Sequence, residues 1–196
     1  MLPHLFCLVD ASVDRSLLPE LARAGVPGFQ VRAKALTDAE LLAFTQAVIA
    51  DVRPYGASVI VNDRVDVALA AGADGVHLGR TDLPIQVARR LAPGLLVGAT
   101  CRNRSQAEAA AAAGADYAGF GPVFATRSKT GLPAPLGLEA VTSAAGPLPL
   151  LAIGGMEAGT ARAAREAGAH GVAVIGAIWR QPDPVTAAKE LLEAIA

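Results

Sequence analysis

Most of this chain is apolar, so its clustered polar residues are the first place to look for chemistry. Gln30, Arg32 and Lys34 alternate with Val31 and Ala33. In extended backbone an i, i+2, i+4 set projects to one side. Two cations and an amide on one face suit an anion, and a guanidinium can grip phosphate through two parallel hydrogen bonds. The ordinary alternative is a solvated strand end. Further on stand Asn62 and Asp63, then His77 and Asp82. Two carboxylates on neighbouring strands can hold Mg²⁺ between themselves and a substrate phosphate. An Asp after a strand can equally cap the next helix. No second histidine lies at metal-ligand spacing from His77, so a hydrogen-bonded role near a strand end is expected for it. His4 and His170 read as structural.

Four later segments carry chemistry of other kinds. Thr100 precedes Cys101 and Arg102; its hydroxyl could donate to a substrate oxygen or cap a helix. Cys101 has no assignable base, which argues against a nucleophile. The stretch from Gly121 to Gly131 holds Thr126, Arg127, Ser128, Lys129 and Thr130, three hydroxyls and two cations. It reads as a lid that brings Lys129 onto an anion, or as a solvated linker. Gly154-Gly155 and Ile175-Gly176 are glycine turns where backbone N–H groups can approach a phosphate closely, or simple tight turns.

Something must bring these segments together. A short phrase recurs at Ala24-Gly25-Val26, Ala71-Gly72-Ala73-Asp74-Gly75-Val76, Ala113-Gly114-Ala115-Asp116 and Ala167-Gly168-Ala169-His170-Gly171-Val172. Each copy ends an Ala-rich helical pattern and opens a β-rich run, as glycine past a helix C-terminus does. The four glycines stand 47, 42 and 54 positions apart. Each interval is too long for one strand and helix and fits two. Strands are expected at Leu5–Val9, Phe29–Arg32, Ser58–Asn62, Gly75–Leu78, Leu95–Ala99, Tyr117–Phe120, Leu148–Ile153 and Gly171–Ile175. Thr37-x-x-Glu40 and Ser105-x-x-Glu108 have the capping-box pattern, and Pro19, Pro84 and Pro184 suit first helical turns. Eight strands alternating with helices imply parallel pairing, right-handed crossovers and closure into a single (β/α)8 TIM barrel over residues 1–196. An open doubly wound sheet would more often carry a glycine-rich loop after its first strand, where Asp10-Ala11-Ser12 stands. In a barrel the active site lies at the C-terminal ends of the strands, and the polar segments above fall there.

Composition narrows the classes. Hydrophobic residues make up 53% and charged residues 18%, which suits a sheet buried on both faces and speaks against disorder. A formal charge of −1 with 4% aromatics offers no basic, stacking surface for nucleic acid. The two cysteines, Cys7 and Cys101, form no CxxC pattern and are expected as buried thiols in a reducing compartment. Neither a signal peptide nor a membrane span of roughly 18 apolar residues is expected. A cytoplasmic setting follows, and homo-oligomerisation is left open.

These features describe two anion sites. One is a backbone nest at the seventh and eighth strands. The other uses Arg32, Lys34, Lys129 and Mg²⁺. Two phosphorylated groups facing each other suggest condensation with loss of pyrophosphate.

The motifs Gln30-x-Arg32-x-Lys34, Val61-Asn62-Asp63, Gly75-Val76-His77-Leu78-Gly79 with Asp82, Gly121-Pro122-Val123-Phe124-x-Thr126-x-Ser128-Lys129, Ile153-Gly154-Gly155 and Gly171-Val172-Ala173-Val174-Ile175 resemble those of the thiamine phosphate synthase and TenI-like superfamily over nearly the whole chain. The resemblance implies joining of a hydroxymethylpyrimidine diphosphate to a hydroxyethylthiazole phosphate. It implies that Gln30, Arg32, Lys34, Asn62 and Lys129 bind the pyrimidine diphosphate and that Asp63 and Asp82 hold Mg²⁺. Thr126, Ser128, Gly155, Ile175 and Gly176 would bind the thiazole phosphate. Arg32, Lys34 and Lys129 would stabilise departing pyrophosphate. The chain departs from the synthase pattern at Arg80 and Thr81, where Gln and an acidic residue are usual, and at Thr100 and Gly176, where Ser is usual. The segment Gly131–Leu138 looks more like the TenI-like branch, which includes a thiazole tautomerase. The catalytic His of that enzyme would fall at Pro122, which cannot do acid–base chemistry. A barrel that binds a thiamine precursor without turnover is the reading from another class.

Overall fold

The computed structural model describes residues 1–126, 131 and 133–196. Its strands are β1 (Leu5–Val9), β2 (Gly28–Val31), β3 (Ser58–Asn62), β4 (Gly75–Leu78), β5 (Leu96–Cys101), β6 (Tyr117–Phe120), β7 (Leu150–Ile153) and β8 (Gly171–Val174). Between them run α1 (Leu18–Arg23), α2 (Asp38–Val52), α3 (Val65–Ala71), α4 (Ile85–Leu91), α5 (Arg104–Ala112), α6 (Leu138–Ala144) and α7 (Ala158–Glu166). The chain ends with α8 (Gly176–Trp179) and α9 (Pro184–Ile195). All eight strands pair in parallel and in sequence order, and β8 closes on β1.

The recurring phrase has a physical role. Gly25, Gly72, Gly114 and Gly168 all have positive φ, between 69° and 106°, the left-handed turn that lets a helix end and a strand begin. The acids in the phrase tie the start of one strand to its neighbour. Asp74 accepts from Val59 N at 2.8 Å and pairs with Arg53. Asp116 repeats this one pair of strands later, accepting from Val97 N at 2.7 Å and pairing with Arg89. In the last copy His170 takes the acid's place, and its carbonyl accepts from Arg165.

Two hydrophobic layers hold the barrel. The larger lies between sheet and helices and includes Leu5, Phe29, Val31, Val76, Val97, Phe120 and Ile178. The smaller fills the barrel interior with Phe6, Leu8, Ile60, Tyr117, Leu151 and Ala173. Phe6 and Tyr117 stack there with centroids 6.1 Å apart.

Several local expectations change. Thr37 and Glu40 do form a capping box on α2. Ser105 does not: Asn103 caps α5 by accepting from Gln106 N, and Glu108 instead pairs with Arg104 at 2.8 Å. A missed capping box opens α7, between Glu157 and Thr160. Pro19 and Pro184 lie in first turns, but Pro84 is the residue before α4. β5 extends to Cys101, two residues beyond its expected end, so Thr100 belongs to the strand. The β2 and β8 ladders end one residue early, at Val31 and Val174. No helix among the described residues is long and apolar enough to cross a membrane.

Candidate active site

The strand C-termini open into a cavity of about 680 Å³, a volume typical of small-ligand sites. Gln30, Arg32, Lys34, Asn62, Asp63, Asp82, Thr100, Thr126, Gly155, Ile175 and Gly176 all line it. Ser128 and Lys129 lie outside the described residues.

On the first wall, buried Gln30 donates from Nε2 to Asn62 Oδ1 at 2.9 Å. The bond leaves the Gln30 carbonyl and the Asn62 N–H groups to meet a ligand. Beyond β2 the alternation persists: Arg32 N donates to Val9 O at 2.8 Å, Ala33 is buried, and Arg32 and Lys34 face the cavity.

Asp63 takes φ 68°, the left-handed region that no other non-glycine enters among the described residues. Its N–H donates to His77 O at 2.8 Å, and its carboxylate meets Lys34 Nζ at 2.7 Å. Asp82 accepts from Gly79 N at 2.6 Å, and the Asp63 and Asp82 carboxyls are close enough to shift each other's titration. Burial pushes both groups up. For Asp63 the neighbouring Lys34 and Asp82 outweigh it and hold the carboxyl below its usual value. For Asp82 burial and the neighbouring Asp63 carboxyl prevail over the Gly79 N–H and hold it above. The two carboxyls therefore shift in opposite directions, Asp82 holding a proton more readily than Asp63. Neither residue caps a helix, since Arg64 precedes α3 and Pro84 precedes α4. The capping alternative is thereby removed. A divalent cation fits the pair, because two neighbouring carboxyls at the cavity wall offer the hard oxygen donors that Mg²⁺ takes. No cluster of three or more His, Cys, Asp or Glu poised for a metal exists among the described residues. A cation here needs water or substrate oxygens to complete its shell, as Mg²⁺ commonly does.

Deeper in the cavity, His77 Nδ1 lies 3.2 Å from Tyr117 Oη and its Nε2 3.0 Å from Thr100 Oγ1. Burial holds His77 down to about 4, with the charge of Asp63 opposing, so the ring is neutral. Burial pushes the Tyr117 phenol up. Thr100 faces the cavity from within β5 and caps nothing. Cys101 is buried, its thiol pushed up to about 11 by burial; it is no nucleophile.

Across the ring from β3 and β4 stand β7 and β8. Gly154 and Gly155 have φ 95° and 65°. A Cβ on Gly155 would lie 2.6 Å from Ala125 O. The 121–126 segment packs onto this turn through Val123 N to Ile153 O at 2.8 Å and Phe124 N to Gly154 O at 3.0 Å. The glycines therefore serve that packing as well as lining the cavity. Ile175 and Gly176 lead into α8, which Trp179 pins to β1 by donating from Nε1 to Leu8 O at 2.7 Å.

Tyr117 and Arg180 also line the cavity, and neither was singled out from the sequence. Arg180 follows α8 without a recognisable motif. Tyr117 had a signal, the mid-strand glycines Gly98 and Gly119. Arg80, a departure from the synthase pattern, lies on the cavity wall as well.

A (β/α)8 barrel whose mouth carries cations, a carboxylate pair and glycine turns defines an enzyme acting on phosphorylated small molecules. The family model described as thiamine monophosphate synthase matches residues 8–178. The chain is 44% identical over 197 residues to the thiamine-phosphate synthase of Chlorobium luteolum, covering 97% of this chain and 93% of that one. It is also 44% identical over 194 residues to the bifunctional ThiM/ThiE protein of Symbiobacterium thermophilum, of which it spans 40%. Among solved structures, thiamine phosphate pyrophosphorylase from Pyrococcus furiosus superposes with a TM-score of 0.88 at 34% identity, covering 97% of this chain and 94% of that one. This chain belongs to the thiamine monophosphate synthase family, transferases of thiamine biosynthesis.

Proposed function

We propose that this cavity joins a hydroxymethylpyrimidine diphosphate to a hydroxyethylthiazole phosphate, releasing pyrophosphate, with Mg²⁺ held by Asp63 and Asp82. The observation that carries the reading is the proximity of those two carboxyls beside Lys34 and Arg32, facing the glycine turns of β7 and β8 across one cavity.

Gln30 and Asn62 present an acceptor and donors that match an aminopyrimidine. Arg32 and Lys34 hold the diphosphate. Lys129 joins them on the strength of the sequence resemblance. Gly155, Ile175, Gly176 and Thr126, with Ser128 by resemblance, hold the thiazole phosphate. Mg²⁺, when bound, adds electrostatic stabilisation of charge on the diphosphate oxygens. The bond from the pyrimidine methylene carbon to the diphosphate oxygen breaks, and its electron pair leaves with pyrophosphate. Arg32 and Lys34 meet that growing charge in a site set up before reaction. The thiazole nitrogen then donates its lone pair to the methylene cation and forms the new C–N bond. The chain's own contribution is positioning and electrostatics, with no protein nucleophile. Pro122 lies in the cavity wall where a tautomerase would need a proton-carrying side chain, which argues against that activity.

The test mixes purified protein, Mg²⁺ and both substrates and quantifies thiamine phosphate and pyrophosphate together. Equal amounts of both, abolished by EDTA and restored by Mg²⁺, are expected. A folded protein that binds thiazole phosphate yet yields no product would overturn the proposal in favour of a TenI-like role.

A further inference from the structure

His77, Tyr117 and Thr100 form a chain whose hydrogen atoms can be placed by accounting alone. In the parallel register His77 sits opposite Gly98, and Gly98 opposite Tyr117. The middle position has no side chain, so imidazole and phenol meet across β5. A Cβ on Gly98 would fall 2.1 Å from Tyr117 Cζ, and one on Gly119 would fall 2.6 Å from His77 Cε1. Both strands are thus emptied of side chains where this pair lies.

Tyr117 is 2% exposed. Its hydroxyl has one hydrogen-bond partner among the described residues, His77 Nδ1 at 3.2 Å. A buried phenol O–H left without an acceptor is costly, so the phenol donates and Nδ1 accepts. The imidazole proton then resides on Nε2 and is donated to Thr100 Oγ1 at 3.0 Å. The threonine oxygen is committed as an acceptor, which frees its O–H to donate, and Thr100 lines the cavity.

We propose that His77, oriented by Tyr117, is a positioning residue that fixes the Thr100 hydroxyl as a hydrogen-bond donor to an acceptor atom of the pyrimidine diphosphate. The relay rests on the reading that this cavity takes that substrate, but the tautomer on which it turns does not. Long-range ¹⁵N–¹H correlation on the ligand-free protein reports the tautomer of each of the three histidines. The expected state of His77 is neutral with the proton on Nε2; a proton on Nδ1 would overturn the proposal. Kinetics test the consequence. Thr100→Val, His77→Phe and Tyr117→Phe should each raise KM for the pyrimidine diphosphate, Thr100→Val by about tenfold, the scale of one lost hydrogen bond. KM for the thiazole phosphate should stay unchanged. Thr100→Ser should restore the wild-type KM, and the His77→Phe/Thr100→Val double variant should be no worse than Thr100→Val alone. Equal rises in both KM values, or additive losses in the double variant, would reduce the chain to a packing role and overturn the proposal. Wild-type protein that shows the Nε2 tautomer but binds no pyrimidine diphosphate would overturn the relay's function through the substrate reading, with the hydrogen-bond geometry intact.

Discussion

Gly98→Ala is the smallest change that tests whether the barrel interior is built around Tyr117. The added Cβ would lie 2.1 Å from Tyr117 Cζ, 2.3 Å from Oη and 2.5 Å from Cε1, whereas carbon atoms in contact sit about 3.5–4.0 Å apart. The ring must retreat by more than about 1 Å. It is buried and stacked on Phe6, so it can retreat only toward the cavity it lines, at the expense of that stacking and of the bond to His77. Overpacking of a dense core costs about 1–3 kcal/mol, and losing the bond to His77 adds about 1 kcal/mol. The sum is about 2–4 kcal/mol, and at about 2–4 °C per kcal/mol for a chain of this size Tm should fall by about 4–16 °C. Urea titration and thermal melting followed by circular dichroism measure both quantities. Gly94→Ala is the control, because its Cβ meets nothing within 4 Å and should change stability by no more than about 0.5 kcal/mol. Replacing Tyr117 with Leu in the Gly98→Ala background should recover part of the loss. A Gly98→Ala protein as stable and as active as Gly94→Ala would refute this account of the interior.

Other expectations follow from the same geometry. Asp82→Ala should keep the fold and lower kcat/KM by about 10²–10³, the scale of removing one electrostatic stabiliser; an undiminished Mg²⁺-dependent rate would take Asp82 out of the site. His77 has its folded pKa lowered to about 4 from a usual 6.5, so as pH falls the unfolded chain takes up this proton first. Its contribution is present above pH 6.5 and is lost between about 6.5 and 4, with an upper bound of about 3 kcal/mol. Urea midpoints of the wild type should fall over that window more steeply than those of His77→Phe; parallel profiles would contradict the burial of the ring. Cys7 and Cys101 are free and buried, so a thiol reagent should label neither in the native protein and both in denaturant, which absorbance titration of the released chromophore checks.

The barrel was legible because its signals are local. Helix-ending glycines such as Gly72 and Gly114 and apolar runs such as Ser58–Asn62 each declare an element without reference to the rest of the chain. The polar face at the rim was legible for the same reason, since Gln30, Arg32 and Lys34 need only extended backbone to share a side. The contacts that give the site its chemistry were not. Asp63 reaches Lys34 and Asp82 through a left-handed turn that side-chain type alone does not announce. The link from His77 to Tyr117 depends on which residue of β5 falls between them in register, and Thr100 faces the cavity because β5 runs two residues past its apolar core. Ser105-x-x-Glu108 misled because Asn103, two residues earlier, is an equally good cap and β5 runs to Cys101, leaving only Arg102 between strand and cap.

The proposed reaction depends above all on Asp63 and Asp82 together holding Mg²⁺ against the diphosphate. Calorimetric titration of Mg²⁺ into wild-type protein saturated with pyrophosphate, beside Asp63→Asn and Asp82→Asn, tests it most directly. One Mg²⁺ per chain in the wild type, lost or weakened at least about tenfold in either variant, is the predicted result. Equal Mg²⁺ affinity in all three proteins would contradict the account.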